Sequence, residues 1–375
     1  MGPVAPAEGT TVAVIGAGNV GCALAADLVL RGVDVRLCNR SPARLEPIRR
    51  AGGITATGAV EGFAPLDRLT DSLEEAVRGA DVVAVTVPTP ALPAYAPALA
   101  ELTTADQLIW LDPGHSGGAL YLAAEMDRRT GRRGRRLCQL STATHGSRLS
   151  GPTTVGVFGL PRVTLGAFPG STVDECLERV AALLPGQFRP AESVVEVDLL
   201  NMNAVMHPPL MIGNAGWIEA TGGRFSVYRE GAGPAVCRLI EAIDAERRAL
   251  ADRLGVPTVT FAEFLAASGY TTAEAAASGS IHRALQAAEP IASVAAPPTL
   301  DHRYLHEDVG WGLVPWWHLV RHCGGAAPAM EAVTAVAGVL NGVDYRRRGL
   351  TLDGMGLTGV DPDRIMAYAR HGDFR

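Results

Sequence analysis

Residues 12–21 read VAVIGAGNVG, an apolar run of strand length that breaks on Gly16, Gly18 and Gly21 and passes directly into residues 22–30, which read as helix. This is GxGxxG spacing in the setting that makes it a dinucleotide-binding turn. Gly16 permits the tight turn, Gly18 lets backbone approach a pyrophosphate, and Gly21 lets the helix lie close on the strand. The helix start, with Asn19 and Val20, then turns free N–H groups towards the phosphates. A second strand, residues 33–38, follows the helix and is succeeded by Asn39, Arg40 and Ser41. In NAD binders an acid near this place accepts the ribose 2′-OH. Here no carboxylate would repel a 2′-phosphate and a guanidinium stands ready to clamp one, which favours NADP(H) over NAD(H).

Working outward, the runs ADVVAVTV at 80–87 and QLIWL at 107–111 are continuous and apolar, the first ended by Pro88 and Pro90 and the second closed by Asp112, Pro113 and Gly114. Such runs suit strands buried on both faces of a parallel sheet. Residues 137–141, 154–158 and 162–166 supply further strands. The expectation is an α/β N-terminal Rossmann domain, doubly wound and mostly parallel, spanning 1–192. Val87 and Pro88 come at the carboxyl end of a strand, where such sheets present ligands, so their backbone is expected near the nicotinamide-side ribose. From 193 the pattern turns helical. Residues 235–254 set Val236, Leu239, Ile240, Ile243, Leu250 and Leu254 on one face, and an all-α C-terminal domain is expected over 193–375. Residues 221–233 read as a glycine-rich loop, and the Ala/Pro-rich 290–298 as a turn delivering the next segment to the site.

Composition narrows the chemistry. A chain of 375 residues, 47% hydrophobic and 19% charged, is a two-domain globular protein with an ample core. Its net charge of −6 implies no nucleic-acid surface. The start MGPVAPAEG carries no export or membrane signal, and no long uncharged apolar run follows. Six cysteines without CxxC spacing fit reduced, buried thiols in a cytoplasm rather than disulfides or a metal site. All 33 basic residues are arginine. The absence of lysine excludes a Schiff base, a pyridoxal phosphate anchor, a Walker lysine and a lysine acid/base, and arginine cannot donate protons in its place.

Two segments of the second half carry reactive groups. In NMNAVMHP at 201–208, Asn203 and His207 stand four apart on one helix face, with Pro208 expected to bend or end that helix. His207 suits proton transfer at a carbonyl or imine nitrogen, and Asn203 a hydrogen bond to nicotinamide, ribose or substrate. DHRYLHED at 301–308 offers Arg303 as a bidentate clamp for a carboxylate and Asp308 as the group that orients His207; Asp301 reads as the N-cap. His115 and His145 follow strand ends and carry either a ligand contact or a plain loop role. Trp311, Trp316 and Trp317 would line an apolar pocket or pack the helical domain.

With GAGNVG, these pieces include NMNAVMHPPLMIGNAGWIE at 201–219, FSVYREG at 225–231, DAER at 244–247 and RYLHEDVGWGLVP at 303–315. Together the chain resembles the opine dehydrogenase family, the octopine and nopaline dehydrogenase group, over nearly its whole length. The resemblance implies a Rossmann domain followed by a helical one, a His207–Asp308 catalytic dyad, and Arg303 on the substrate carboxylate. It implies reductive condensation of an amine or amino acid with a 2-oxo acid through an imine, with His207 the proton donor. A tailoring reductase acting on a preformed imine would use the same residues. A ketopantoate-type C=O reductase shares the domain order but leans on a lysine that is missing here, and a non-catalytic nucleotide sensor should have lost the His207, Arg303 and Asp308 set. The partners expected are small-molecule substrates, with a homodimer possible through the helical domain.

Overall fold

The computed structural model describes residues 9–131 and 135–373. Residues 1–8, which hold most of the stretch without an export signal, lie outside the described residues. The described residues divide into two compact units, one drawn from Met1–Val197 and Arg364–Arg375, the other from Asp198–Asp363.

In the first unit the strands are β1 (Thr11–Ile15), β2 (Asp34–Cys38), β3 (Gly53–Gly58), β4 (Gly62–Pro65), β5 (Leu69–Thr70), β6 (Val82–Val85), β7 (Leu108–Gly114), β8 (Arg136–Leu140), β9 (Gly146–Leu149), β10 (Thr154–Gly159), β11 (Val163–Phe168) and β12 (Phe188–Pro190). Eight of them form the main sheet in the order β12-β11-β8-β7-β6-β1-β2-β5. Every pairing in it is parallel except β11 with β8. This is the doubly wound, mostly parallel α/β sheet expected. β1, β6 and β11 are buried along their whole length, as strands covered on both faces must be.

The expected strand at 154–158 exists but belongs elsewhere. β10 lies in a separate four-stranded sheet of order β4-β3-β10-β9. Its burial alternates: Val155 and Val157 join the core with Leu24 and Leu28 of the helix Asn19–Leu30, while Phe158 is exposed. That alternation marks a sheet covered on one side only.

The expected division at 192/193 also shifts. The C-terminal helix Ile365–His371 belongs with the first unit, where it buries Ile365, Met366, Tyr368 and Ala369. Tyr368 meets Phe168 edge-on at 5.1 Å, and Arg370 pairs with Glu192 at 2.6 Å. An apolar face at the chain end thus finds its cover in the sheet domain.

The second unit is helical, with Met202–Gly213, Pro234–Leu254 and Pro328–Asn341 among its longer helices. Pro208 does not end the first of these. The helix runs through Pro208 and Pro209 to Gly213, so only the carbonyls of Ala204 and Val205 forgo their usual helical donors. The DAER motif is structural: Arg247 is fully buried, bonds Asp244 at 2.7 Å, and donates to the carbonyls of Leu199 and Val259. Trp316 is likewise fully buried, and Trp317 lies under the guanidinium groups of Arg321 and Arg346. The tryptophans at 316 and 317 therefore pack the unit.

Candidate active site

The glycine turn of the first unit is built as its spacing requires. Gly16 has φ +114°, and a Cβ there would meet Thr86 Oγ1 and Val87 Cγ1, each at 3.0 Å. Thr86 and Val87, just beyond the carboxyl end of β6, therefore lie against the turn. A Cβ on Gly21 would sit 1.8 Å from the Gly16 carbonyl oxygen, so only glycine lets the helix approach. At Gly18 a Cβ would meet nothing within 4 Å, and Gly18 is the helix N-cap with no side-chain bond and no acid in the first turn. An open approach to an uncapped helix N-terminus fits a pyrophosphate.

Side chains around the turn brace it. Asn39 Oδ1 accepts the Ala17 N–H at 3.0 Å, and Arg44 Nε donates to the Ala17 carbonyl at 2.8 Å. Asn19 Oδ1 accepts from the Leu149 N–H at 3.0 Å, so Asn19 and Asn39 shape the cradle through their side chains. Val20 is the second residue of the helix, half-buried in its first turn. Arg40 and Ser41 are exposed. Ser41 caps the helix Pro42–Ala51 without a side-chain cap bond, and that helix also has no acid in its first turn.

His145 has a structural role. It is buried, with Nε2 3.1 Å from Asp27 Oδ2 and Nδ1 2.8 Å from Thr144 Oγ1, and Thr144 in turn donates to Asp112 at 2.6 Å. His115 is buried as well, with a left-handed φ of 47°.

In the second unit, His207 Nδ1 lies 2.7 Å from Asp308 Oδ2, although 101 residues separate them. Asp308 ends the helix Arg303–Asp308 and opens a π-helical turn, Val309–Leu313. That turn packs close on the helix of His207, because a Cβ on Gly312 would stand 2.6 Å from Ala204 Cβ. The wide turn and its glycine thus set the carboxylate against the imidazole. The N-cap is His302, whose ring accepts the Tyr304 N–H at 3.3 Å, and not Asp301. Asp301 instead pairs with His306 at 2.8 Å.

His207 is 4% exposed. Burial first, then the Arg303 guanidinium, draws its pKa down to about 3 against the opposing pull of Glu307. The ring is therefore neutral near pH 7, with its proton on Nδ1 facing Asp308 and Nε2 left as an acceptor. Arg303 gives Nε and Nη2 to Glu307 Oε2 at 2.9 and 2.7 Å while its side chain stays 55% exposed. The ion pair aims the guanidinium and leaves Nη1 without a hydrogen bond among the described residues. Asn203 shares the helix but is half-buried, and it makes no side-chain hydrogen bond to the dyad.

Two tyrosines complete the cluster. Tyr228 Oη is 2.8 Å from His207 Nε2, and Tyr304 stacks on the imidazole at 3.6 Å with planes 9° apart. The loop carrying Tyr228 is held by residues 290–298, where Val227 N bonds the Val294 carbonyl and Ala296 N bonds the Phe225 carbonyl, each at 2.9 Å. The Ala/Pro-rich turn therefore fixes this loop. Sequence reasoning did not single out either tyrosine. Tyr304 and Asp308 stand four apart on one helix face, as do Arg303 and Glu307, and that spacing was the available signal.

Residues 190–341 match the family model described as NAD/NADP octopine/nopaline dehydrogenase, alpha-helical domain, and residues 12–170 match ketopantoate reductase PanE/ApbA. The opine dehydrogenase of Arthrobacter sp. (strain 1C) is 34% identical over 357 residues, covering 94% of this chain and 97% of that protein. The chain belongs to the opine dehydrogenase family. It is an NAD(P)-dependent oxidoreductase of the class acting on CH–NH bonds. The vitopine synthase of Allorhizobium ampelinum (strain ATCC BAA-846 / DSM 112012 / S4) is 25% identical, covering 95% of this chain and 98% of its own. Among solved structures, octopine dehydrogenase with NADH and L-arginine shares the fold at a TM-score of 0.78 and 20% identity, over 96% of this chain and 99% of that one. NADP+-bound yersinopine dehydrogenase does so at 0.73 and 18%, over 96% and 97%. No helix among the described residues is long and apolar enough to cross a membrane.

Proposed function

We propose that this member of the family condenses an amine or amino acid with a 2-oxo acid and reduces the resulting imine to a secondary amine, with His207 as acid and base. The observation that carries the proposal is the buried His207–Asp308 contact at 2.7 Å beside the half-exposed Arg303. A neutral imidazole suits the first step, in which the amine enters as an ammonium and must lose a proton before it can attack the carbonyl. His207 takes that proton, and Asp308 stabilises the imidazolium. The imidazolium then returns the proton to the departing hydroxyl, which leaves as water. Arg303 holds the oxo-acid carboxylate through its outer N–H groups. A nicotinamide bound at the glycine turn supplies the hydride.

NADP(H) is the favoured cofactor. Arg40, the Ser41 hydroxyl and the start of the helix Pro42–Ala51 together offer a cation and donors where a 2′-phosphate would lie, and neither residues 39–41 nor the first turn of that helix carries an acid. Fluorescence titration should show NADPH binding about tenfold or more tighter than NADH, the scale of one or two charge-assisted hydrogen bonds. Arg40→Ala should remove most of that difference. Tighter NADH binding by the unaltered protein would refute the role of Arg40.

The function itself is tested by NADPH oxidation with pyruvate crossed against the common amino acids, and with cyclic imines. Oxidation that needs both an amino acid and the oxo acid supports the proposal. Oxidation with a cyclic imine alone would favour the preformed-imine reading.

A further inference from the structure

His207 does not itself present a reactive atom to solvent. Its Nδ1 is committed to Asp308, and its Nε2 lies 2.8 Å from the hydroxyl of Tyr228, which is only 6% exposed. Since Nε2 carries no proton in this tautomer, Tyr228 must donate to it. The Tyr228 oxygen then accepts from Tyr304, whose hydroxyl stands 3.2 Å away, and Tyr304 is the half-buried member of the set. The hydrogen bonds therefore run in one direction, from Tyr304 to Tyr228 to His207 to Asp308.

We propose that Tyr304 is the catalytic residue that meets the substrate, and that Tyr228 relays protons between it and His207. The inference rests on the acid/base reading above and deepens it. The substrate ammonium gives a proton to Tyr304 Oη as Tyr304 passes its own hydroxyl proton to Tyr228 and Tyr228 passes its own to His207 Nε2. Both phenols end neutral, the substrate becomes a free amine, and His207 becomes an imidazolium against the Asp308 carboxylate. The reverse sequence delivers one proton to the departing hydroxyl, which leaves as water. Burial keeps Tyr228 far above the ordinary phenol range, so it serves as a neutral link and not as a phenolate. The Tyr304 ring, stacked at 3.6 Å, also places a π face under the charge as it forms.

The test compares Tyr228→Phe, Tyr304→Phe and His207→Ala, using NADPH, pyruvate and whichever amino acid gives the highest rate. Both phenylalanine variants should lose about tenfold or more in turnover while NADPH affinity stays unchanged, and the melting midpoint of Tyr228→Phe should fall by no more than the few degrees that one lost buried hydrogen bond costs. Independently of substrate, the 15N resonance of His207 Nε2 should move in Tyr228→Phe and, through the coupled bond, in Tyr304→Phe. Turnover of Tyr228→Phe at or above the unaltered level, with His207→Ala inactive, would overturn the relay alone, because Nε2 would then reach substrate directly. An Nε2 resonance indifferent to Tyr304→Phe would overturn it too. Undiminished turnover of His207→Ala would overturn the acid/base reading itself.

Discussion

Replacing His207 by alanine lowers turnover by about 100-fold or more and leaves dinucleotide binding intact, the effect expected of a lost acid/base group. Asp308→Asn should fall by a similar factor. It keeps the size of the side chain but removes the charge that faces Nδ1 at 2.7 Å and that stabilises the imidazolium. Steady-state turnover beside a fluorescence titration with NADPH checks both. Either variant holding turnover within about threefold of the unaltered protein would remove the dyad from the chemistry, since acid/base catalysis is worth far more than that. The dyad also has a pH signature. With its folded pKa depressed to about 3 by burial, His207 favours the native state above the ordinary histidine pKa, and that contribution is lost as pH falls from there towards the folded value.

The second large effect falls on Arg303. Arg303→Ala should raise the KM for the 2-oxo acid by about 10- to 100-fold, the worth of charge-assisted bonds to a carboxylate, while NADPH affinity stays unchanged. Arg303→Lys should recover only part of this, because an ammonium cannot reproduce the planar fork. The two variants should also part in their pH dependence. The guanidinium is the second cause of the low His207 pKa, so removing the charge lets that pKa rise and moves the acidic limb, where the base becomes protonated, to higher pH, whereas lysine keeps it in place. An unaltered KM for every acidic substrate would take Arg303 out of the site.

Features that depend on neighbouring residues were the legible ones. The strand, turn and helix around Gly16, Gly18 and Gly21 are contiguous, and each glycine has a local reason that the structure bears out at Gly16 and Gly21. The helix Pro234–Leu254 has nearly the expected bounds and buries Ile240, Ile243, Leu250 and Leu254 of the expected face, whereas Val236 and Leu239 are only half-buried and Cys237, Asp244 and Arg247 are buried beside them. The small sheet was not legible, because β3 pairs with β10 about one hundred residues away, from Thr55 with Thr154 to Gly58 with Val157, and nothing local announces such pairing. The chain-end helix escaped for the same reason, since its cover lies at Phe168 and Glu192. At the site, residue types with obvious chemistry stood out as His207, Asp308 and Arg303. Tyr228 did not, because its importance comes from one hydrogen bond that only the folded loop creates.

The proposed reaction makes a new C–N bond and reduces it, so the product of one labelled turnover tests it. NADPH carrying deuterium at the transferred position is supplied with pyruvate and the most active amino acid, and the product is weighed by mass spectrometry. The expected product is a secondary amine whose mass is that of the two substrates together less one oxygen, raised by one mass unit because a single deuterium replaces hydrogen on the carbon bonded to nitrogen. Deuterated 2-hydroxy acid, with the amino acid recovered unchanged, would contradict it.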